Sequence, residues 1–401
     1  MLVLKNARMI DGKSDAALEG MTIIVEGEKI KAVGKGLSWP EAAVVIDAAG
    51  KTVLPGLIDV HVHMGESADF PGFGGRERSK NYAEVRDWTL KHGVTSVRTC
   101  GDYMPDAFNL RKEIEDGVTR GPRIFACGPS FQARNGHPST TVWQSDPEVL
   151  EHAAAFADTP EEAYGKVKEI AAAGADFIKI IIGDVDVWHY PARLPRLKAE
   201  VIQAIIDEAH NQGLPVSSHC ESTLDALAAV KMGVDGVEHL VQLGSTPYDL
   251  VDGLFETMVK NNVPLTLTSY LIKVYDSYAP VEEAKLFEYA RDYFERAYRG
   301  GVDICAGTDS GAPKIYHGLA LLNELETMVD DIGMKPVDAI LAATRNNSKL
   351  LRCDDIGCIE EGKLADLVVV DGKPDADIHD VKKTALVIKN GKIVTDNMLA
   401  L

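Results

Sequence analysis

The chain has 401 residues, of which 45% are hydrophobic and 26% are charged, and its formal net charge is -19. These values are typical of a soluble globular protein that is long enough for one large domain and one smaller domain. The acidic balance disfavours nucleic acid and anionic membranes as partners, since both carry negative charge, but it says little about a small-molecule substrate, because a local site can differ from the average.

The first 55 residues contain short β-branched runs separated by turn residues, a pattern that favours antiparallel strands. The runs are residues 2–4, 21–25, 30–33 and 43–47. The C-terminal part repeats this pattern with a strand at 366–370 and a hairpin at 386–394 that has an Asn-Gly turn. We therefore expect residues 1–55 and 357–401 to pair into one small β-sandwich domain built from both chain ends.

Residues 56–356 alternate between apolar runs and segments with a helical pattern. The apolar runs are 56–62, 94–99, 123–127, 176–182, 215–219, 234–240, 264–269 and 302–307. The helical segments include 79–92, 160–173, 198–212, 222–232 and 281–300. Eight strands alternating with helices over about 300 residues predict an α/β fold of the (β/α)8 TIM-like barrel type, and a doubly wound open sheet is the structural alternative.

The sequence shows no sign of membrane insertion or of a disulfide framework. No run of about 20 apolar residues is present, and the N-terminus lacks a basic segment followed by a long apolar one. The six cysteines are scattered along the chain without a C-x-x-C pair. A chain of this size rarely needs disulfides for stability. We therefore expect a cytoplasmic protein.

His61 and His63 lie two residues apart at the end of the first predicted barrel strand. Residues i and i+2 of a strand point to the same face, so both rings can reach one metal ion from one side. Neutral imidazole is the commonest protein metal ligand and suits zinc or a similar ion. The alternative is that two polar residues merely close a strand. Further potential ligands at the other predicted strand ends would favour the metal site.

Functional groups of such a barrel lie at the C-terminal ends of its strands, and further candidates lie there. His219 and His239 end the fifth and sixth predicted strands, and Asp309 follows the eighth. Lys179 lies within the Ile-rich fourth strand, where a cation is costly to bury. It is either a salt-bridged lysine or a neutral lysine that takes up CO2 as an anionic carbamate, which could bridge two cations.

Together these motifs resemble the amidohydrolase superfamily in its binuclear form with a carboxylated lysine. The resemblance spans nearly the whole chain. It rests on the N-terminal strands, the run from Pro55 to His63, Lys179, His219, His239, Gly307-Thr308-Asp309-Ser310 and the tail from Gly357 to Val369.

The resemblance implies two divalent metal ions, with Zn²⁺ as the expected metal. His61 and His63 would bind the buried ion with Asp309. His219 and His239 would bind the second ion. The carbamate of Lys179 would bridge both ions, with a hydroxide between them. The resemblance also implies a homo-oligomer.

A finer similarity points to the branch that holds imidazolonepropionase-like proteins and metal-dependent dipeptidases. It rests on Asn135-Gly136-His137-Pro138 and on the stretch from Asp309 through His317-Gly318. In that branch, the histidine that matches His137 contacts the substrate carbonyl. His137 could instead cap a local loop, and His317 could be either a substrate contact or a packing residue beside Gly318.

The chain departs from the dipeptidases after the fifth strand. There, a tyrosine commonly follows the metal-binding histidine by two positions, whereas this chain has Glu221. Glu221 would share a face with His219 and could look into the pocket, or it could turn away and pair with a basic side chain. After the fourth strand, Trp188 and Tyr190 belong either to the substrate wall or to a surface loop.

The expected activity is metal-dependent hydrolysis of a C–N bond in an amide, an N-acyl amino acid or dipeptide, a urea or a carbamate. A metal-bridged hydroxide would attack the carbonyl carbon. Asp309 would move the proton to the leaving nitrogen, while His137 would polarise the carbonyl. The alternatives are a mononuclear deaminase or a cyclic amidase of the same superfamily, or a non-catalytic barrel protein.

Overall fold

The computed structural model describes residues 1–64, 78–143, 145–184, 193–240, 251–277, 286–312 and 314–397. Within these ranges, no helix has both the length and the apolar character that crossing a bilayer requires. Trp188 and Tyr190 lie outside the described residues, so their predicted contact with substrate stays a prediction.

The two chain ends form one sheet with a buried apolar cluster of its own. Its strands are Leu2–Met9, Leu18–Glu26, Lys29–Gly34, Val44–Asp47, Thr52–Pro55, Leu367–Val370, Thr384–Lys389 and Lys392–Asp396. Thr52–Pro55 pairs antiparallel with Leu367–Val370, which confirms that the ends come together. The division of the chain at residues 55 and 357 stays a prediction.

Not all pairing in this sheet is antiparallel. Leu2–Met9 pairs in parallel with Val44–Asp47 along its first half and with Thr52–Pro55 along its second half. Residues 35–43 lead the chain back to the start of Val44–Asp47, which therefore runs in the same direction as Leu2–Met9. Alternation of apolar residues with turn residues does not distinguish such a return from a hairpin.

Two turns at opposite ends of the sheet meet and fold it around its apolar cluster. Gly391 has a φ of 70°, and a Cβ atom there would lie 2.0 Å from the carbonyl oxygen of Gly27. Only glycine tolerates both the left-handed backbone and this close approach. The hairpin between Thr384–Lys389 and Lys392–Asp396 is therefore held against the turn that starts the third strand.

The central part of the chain is a barrel of parallel strands. The barrel strands are Leu57–Val62, Val94–Thr99, Arg123–Ala126, Ile178–Ile182, Val216–Cys220, Gly236–His239, Leu265–Leu267 and Ile304–Ala306. The eighth strand meets the first, where the Asp309 N–H donates to the His61 carbonyl at 2.7 Å. Strand 4 joins strand 3 through the Asp176 N–H and the Ala126 carbonyl at 2.8 Å. This closure confirms the TIM-like barrel and excludes the open sheet.

Helices separate the strands and cover the outside of the barrel. They are Arg78–Lys91, Asp106–Glu115, Pro147–Ala153, Pro160–Ala172, Ala199–Asn211, Thr223–Met232, Leu254–Asn261, Ser269–Asp276, Leu286–Arg299, Leu319–Asp330, Pro336–Leu341 and Asn347–Leu350. A π-helical turn spans Ala342–Asn346, and a 3₁₀ turn spans Ile378–Lys382. Thr159 caps the fourth helix by accepting a hydrogen bond from the Glu162 N–H. The five predicted helical segments therefore agree with described helices to within a few residues, apart from 281–285, which lie outside the described residues.

Candidate metal centre

The ends of the first and eighth barrel strands bring three of the predicted ligands together. Nε2 of His63 lies 2.9 Å from Oδ1 of Asp309, and Nε2 of His61 lies 3.5 Å from the same oxygen. One ligand atom from each residue lies within 4.8 Å of the other two. Two imidazole nitrogens and one carboxylate oxygen at this spacing can reach a single cation.

A row of imidazoles continues from this cluster across the barrel mouth. The ring of His239 lies 4.6 Å from that of His61 and 4.5 Å from that of His219, measured between centroids. The His219 ring in turn lies 4.9 Å from that of His137. The barrel therefore assembles all four predicted histidine ligands and the predicted carbonyl-polarising residue at one end.

The side chain of Lys179 reaches the same space from a position deeper in the barrel. It is the second residue of Ile178–Ile182, not the last, and is 1% exposed. Its long side chain makes up the difference in height between its Cα and the strand ends. Oε2 of Glu238 lies 3.6 Å from Nζ, and within the described part of the chain Nζ makes no hydrogen bond.

Burial keeps most of these imidazoles neutral, which is the form that binds metals. Desolvation, reinforced by the charge of Lys179, lowers the pKa of His61 to about 4 and that of His219 to about 3. Desolvation and the neighbouring His219 and His61 rings hold the pKa of His239 well below its usual value. These three residues therefore present free lone pairs at neutral pH.

His63 and Asp309 behave as an ion pair. Desolvation opposes the charge on His63, but the neighbouring carboxylates of Asp102 and Asp309 outweigh it and raise the pKa of His63 to about 10. Desolvation likewise opposes the charge on Asp309, yet His61 and His63 hold its pKa well below the usual range. A cation bound between His63 and Asp309 would take the place of the proton that they share.

The donor set fits divalent metal ions. Besides Nζ of Lys179, Nε2 of His219 is a buried polar atom that makes no hydrogen bond within the described residues. Buried polar atoms in native proteins are almost always satisfied, and two such atoms at the same end of the barrel are suited to binding an ion. Imidazole nitrogens and carboxylate oxygens suit zinc and its neighbours.

The backbone is strained at two of the ligand positions. Asp309 has a φ of 58° and His239 a φ of 72°, in the left-handed region that non-glycine residues rarely adopt. Gly307 lies just before Asp309, and a Cβ atom there would lie 2.8 Å from Cβ of His61. The eighth strand can thus approach the first closely enough for Asp309 to face His61. Strain of this kind is concentrated at functional sites.

The polar residues behind the ligands were not found by sequence reasoning. Glu238 contacts Nδ1 of His61, and Oγ1 of Thr268 lies 2.9 Å from Nδ1 of His239. Asp102 lies 3.8 Å from Nδ1 of His63. Each partner orients its imidazole from the side opposite the cluster. The available signal was a charged or hydroxyl residue inside an apolar barrel strand or within three residues of its end.

His137 and Glu221 lie on the His219 side of the centre. Oε1 of Glu221 lies 3.6 Å from Nε2 of His219, and one ligand atom each of His137, His219 and Glu221 fall within 4.8 Å of one another. Glu221 is 3% exposed. Gly183 leaves room for it, since a Cβ atom there would lie 2.6 Å from the Glu221 carboxylate. Nδ1 of His137 is bound to Oγ1 of Thr141 at 2.7 Å.

His317 contacts the backbone behind the centre. Its Nε2 lies 3.2 Å from the carbonyl oxygen of His63, and the side chain is buried. Burial lowers the pKa of His317 to about 4, although the His63 carbonyl opposes this shift. His317 therefore supports the end of the first strand, and its predicted contact with substrate stays a prediction.

Comparison with known proteins agrees with this architecture. The ochratoxinase of Aspergillus niger is 26% identical over 384 residues, covering 85% of this chain and 75% of that protein. An adenine deaminase of Clostridium perfringens is 25% identical over 399 residues, covering 97% of this chain and 59% of that protein.

Solved structures agree as well. The crystal structure of a Xaa-Pro dipeptidase with bound methionine in the active site is 30% identical, covers 98% of this chain and 99% of that one, and has a TM-score of 0.84. Phenylurea hydrolase B has the same TM-score of 0.84 at 21% identity, covering 99% of this chain and 97% of that one, which shows a shared fold.

The fold and the strand-end residues define a TIM-barrel hydrolase. Residues 52–394 match the Amidohydrolase family, so the chain belongs to the amidohydrolases. It is an amidohydrolase enzyme, as predicted. The family generally binds divalent metal ions, which agrees with the candidate ligand groups at the barrel mouth.

Proposed function

We propose that this enzyme hydrolyses the C–N bond of an amide, an N-acyl amino acid or dipeptide, a urea or a carbamate with two divalent metal ions, Zn²⁺ being the expected metal. His61, His63 and Asp309 would hold one ion, and His219 and His239 would hold the other. When bound, the ions would supply an acidified water near neutral pH as the nucleophile. The proximity of His61, His63 and Asp309 is the observation that carries the proposal.

Lys179 would bridge the two ions as a carbamate. In forming it, the neutral amine donates its lone pair to the carbon of CO2 and the nitrogen releases one proton to solvent, leaving an anionic group. The buried Nζ that makes no hydrogen bond within the described chain supports this role. A carbamate also removes the cost of a buried ammonium, because its charge is compensated by two cations.

Asp309 and His137 would carry the proton transfer and the polarisation of the substrate. A carboxylate with a pKa well below the usual range is ionised at neutral pH, and Asp309 can therefore accept a proton and pass it to the leaving nitrogen. Burial, with help from the neighbouring His219, lowers the pKa of His137 to about 4. A neutral His137 can donate one N–H to a developing oxyanion without adding charge.

Glu221 would help to select the substrate. A carboxylate beside His219 and His137 favours an N–H or ammonium group and opposes a substrate carboxylate. Neutral or cationic amides and ureas are therefore the preferred substrates. This preference differs from that expected of a dipeptidase with a tyrosine at the corresponding position.

A deaminase is the second candidate, since the adenine deaminase of Clostridium perfringens is 25% identical to this chain. Deaminases of this superfamily usually use one metal and lack the bridging lysine, so Lys179 favours the first candidate. A non-catalytic barrel protein would have lost metal ligands, and none of the expected ligands is missing here. We also propose that the protein is cytoplasmic, because its cysteines are scattered without a disulfide framework, and that it is a homo-oligomer, on the basis of the resemblance described above.

One experiment separates these candidates. The enzyme, purified without chelator, is analysed for metal and offered N-acyl amino acids, dipeptides, aryl ureas, carbamates and aminated heterocycles. We expect two ions per chain and release of an amine from an amide, urea or carbamate. Release of ammonia from an aminated ring by a protein with one ion would identify the deaminase. A metal-free protein without turnover would support the non-catalytic alternative.

A further inference from the structure

Glu238 is a charged residue at the centre of the barrel. It is fully buried and immediately precedes His239 at the end of the sixth strand. Its carboxylate contacts residues of three other strands and lies near a fourth. Because buried charges are costly unless they are paired, both oxygens of this carboxylate need partners.

The two oxygens of Glu238 have different partners. Oε1 accepts hydrogen bonds from Nη2 of Arg98 and from Oγ of Ser217. Oε2 contacts Nδ1 of His61 and lies 3.6 Å from Nζ of Lys179. One oxygen is thus anchored to the barrel wall, while the other faces the candidate metal centre.

Arg98 keeps this carboxylate ionised and in place. Its Nε donates to the Val60 carbonyl at 2.6 Å, and its guanidinium lies 4.7 Å from the centre of the Phe177 ring. Arginine is always charged in proteins, so the paired Glu238 carboxylate carries no proton and can only accept hydrogen bonds.

We infer that Glu238 is a positioning residue that fixes His61 in the tautomer with its proton on Nδ1. Since an ionised carboxylate accepts only, Nδ1 must be the donor. Nε2 then carries a free lone pair, and it is the nitrogen that faces Asp309 at 3.5 Å. A carboxylate on the far nitrogen of a metal-binding histidine sets its tautomer and orientation. This inference rests on the proposed metal centre.

The test compares Glu238→Gln with Glu238→Asp. In Glu238→Gln the amide oxygen can still accept from Arg98 and Ser217, which turns the NH2 group towards Nδ1 of His61. A donor at that place favours the opposite tautomer, with the proton on the metal-facing Nε2. We expect the affinity for the tighter of two Co²⁺ ions to fall about 10- to 100-fold, measured by competition with a chelator. The visible spectrum of bound Co²⁺ should change with it.

Glu238→Asp separates positioning from packing. Aspartate remains an acceptor but is shorter, whereas glutamine keeps the shape and loses the charge. Under the inference, Glu238→Asp retains the Co²⁺ spectrum and affinity better than Glu238→Gln. A residue needed only for packing would show the reverse order, and that order would overturn the inference. If Glu238→Gln does not fold by circular dichroism, a lost Co²⁺ spectrum in folded Glu238→Asp overturns it.

Asp366→Asn is the matched control. Asp366 is also a buried carboxylate, and its Oδ2 lies 2.5 Å from Nη1 of Arg123, next to the terminal sheet. Its loss should leave Co²⁺ affinity and spectrum unchanged. Wild-type behaviour of Glu238→Gln would overturn the inference and leave the proposed function intact. A wild-type protein that binds no Co²⁺ would instead overturn the metal centre, and the inference with it.

Discussion

Oδ1 of Asp309 lies 2.9 Å from Nε2 of His63, which joins the third residue after the eighth barrel strand to the residue directly after the first. The pair spans the seam where the barrel closes, so a ligand from each side of the seam can meet at one ion. Both side chains keep some exposure, at 19% and 18%, which leaves the pair reachable from the barrel mouth.

Metal content is the first prediction. We expect about two zinc-like ions per chain by elemental analysis, and we expect a chelator to abolish activity that added Zn²⁺ restores. His63→Asn should lower the metal content, because it removes the imidazole that faces Asp309 across the seam. His210→Asn is the control, since His210 bonds to Asp235 at 2.9 Å, away from the centre. One ion per chain with full activity would contradict the binuclear site.

Lys179 should be carboxylated. Lys179→Ala is expected to lose most of its metal and activity, because the anionic bridge is gone. Bicarbonate or a short carboxylate should restore part of the activity by occupying the bridging position. Lys179→Arg cannot form a carbamate and should be as impaired as Lys179→Ala. An arginine variant with the wild-type rate would remove the carbamate from the mechanism.

Asp309→Asn should lower turnover by at least about a hundredfold, the usual scale for loss of a general acid–base group. Part of the metal should remain, since the histidines and Lys179 are intact. Asp303→Asn, just before the eighth strand begins, is the control and should keep its turnover. Turnover and metal content are measured on the same samples. Near-normal turnover of Asp309→Asn would exclude this residue as the proton carrier.

Glu221→Gln should change substrate preference without changing metal content. The substitution keeps the shape of the side chain and removes its charge. Substrates with a carboxylate near this position should gain relative to neutral and cationic ones, and kcat/KM across a charged and uncharged panel measures the ranking. An unchanged ranking would assign Glu221 to structure, and specificity would then depend on other loops.

Acid should destabilise the metal-free protein below pH 6.5. The pKa values of His61, His137 and His219 are lowered to about 4, 4 and 3, mainly by burial. As the pH falls below 6.5, the unfolded chain takes up protons at these residues and the folded chain does not. Each of these histidines should therefore lower the free energy of unfolding by on the order of 1–2 kcal/mol between pH 6.5 and 5. Burial raises the pKa of Asp59 to about 8 and that of Glu324 to about 7, so these two carboxyls offset part of the loss.

His63 is shifted in the opposite direction and does not alter this window. The pKa of His63 is raised to about 10, so its stabilising contribution is fully present below 6.5 and is lost only at higher pH. Denaturant unfolding at pH 6.5 and 5 measures the effect, and His137→Asn should show a smaller loss than the wild type. Equal stability at both pH values would contradict the prediction.

The fold was predictable because it depends on local patterns that a single chain displays. The predicted strand at 94–99 coincides with Val94–Thr99, and Thr159-Pro160 marks the start of its helix as expected. Apolar runs and caps act over a few residues, so they are visible before any long-range contact is known.

The network behind the ligands was not predictable for the opposite reason. Arg98 and Glu238 are 140 residues apart and pair only once the barrel is closed. A charged residue inside a strand has many potential partners, and the sequence does not say which one it meets. Thr268 is similar, since a threonine after an apolar run is common and only the structure places it on His239.

Closure of the seam has a consequence for how the protein matures during synthesis. His61 leaves the ribosome early, whereas Asp309 is made some 250 residues later, and the two meet only when the eighth strand docks on the first. The terminal sheet likewise cannot be completed until Leu367–Val370 has been made and pairs with Thr52–Pro55. A nascent chain therefore lacks the complete ligand set until its eighth strand has been made, which places acquisition of metal after that point in its biogenesis.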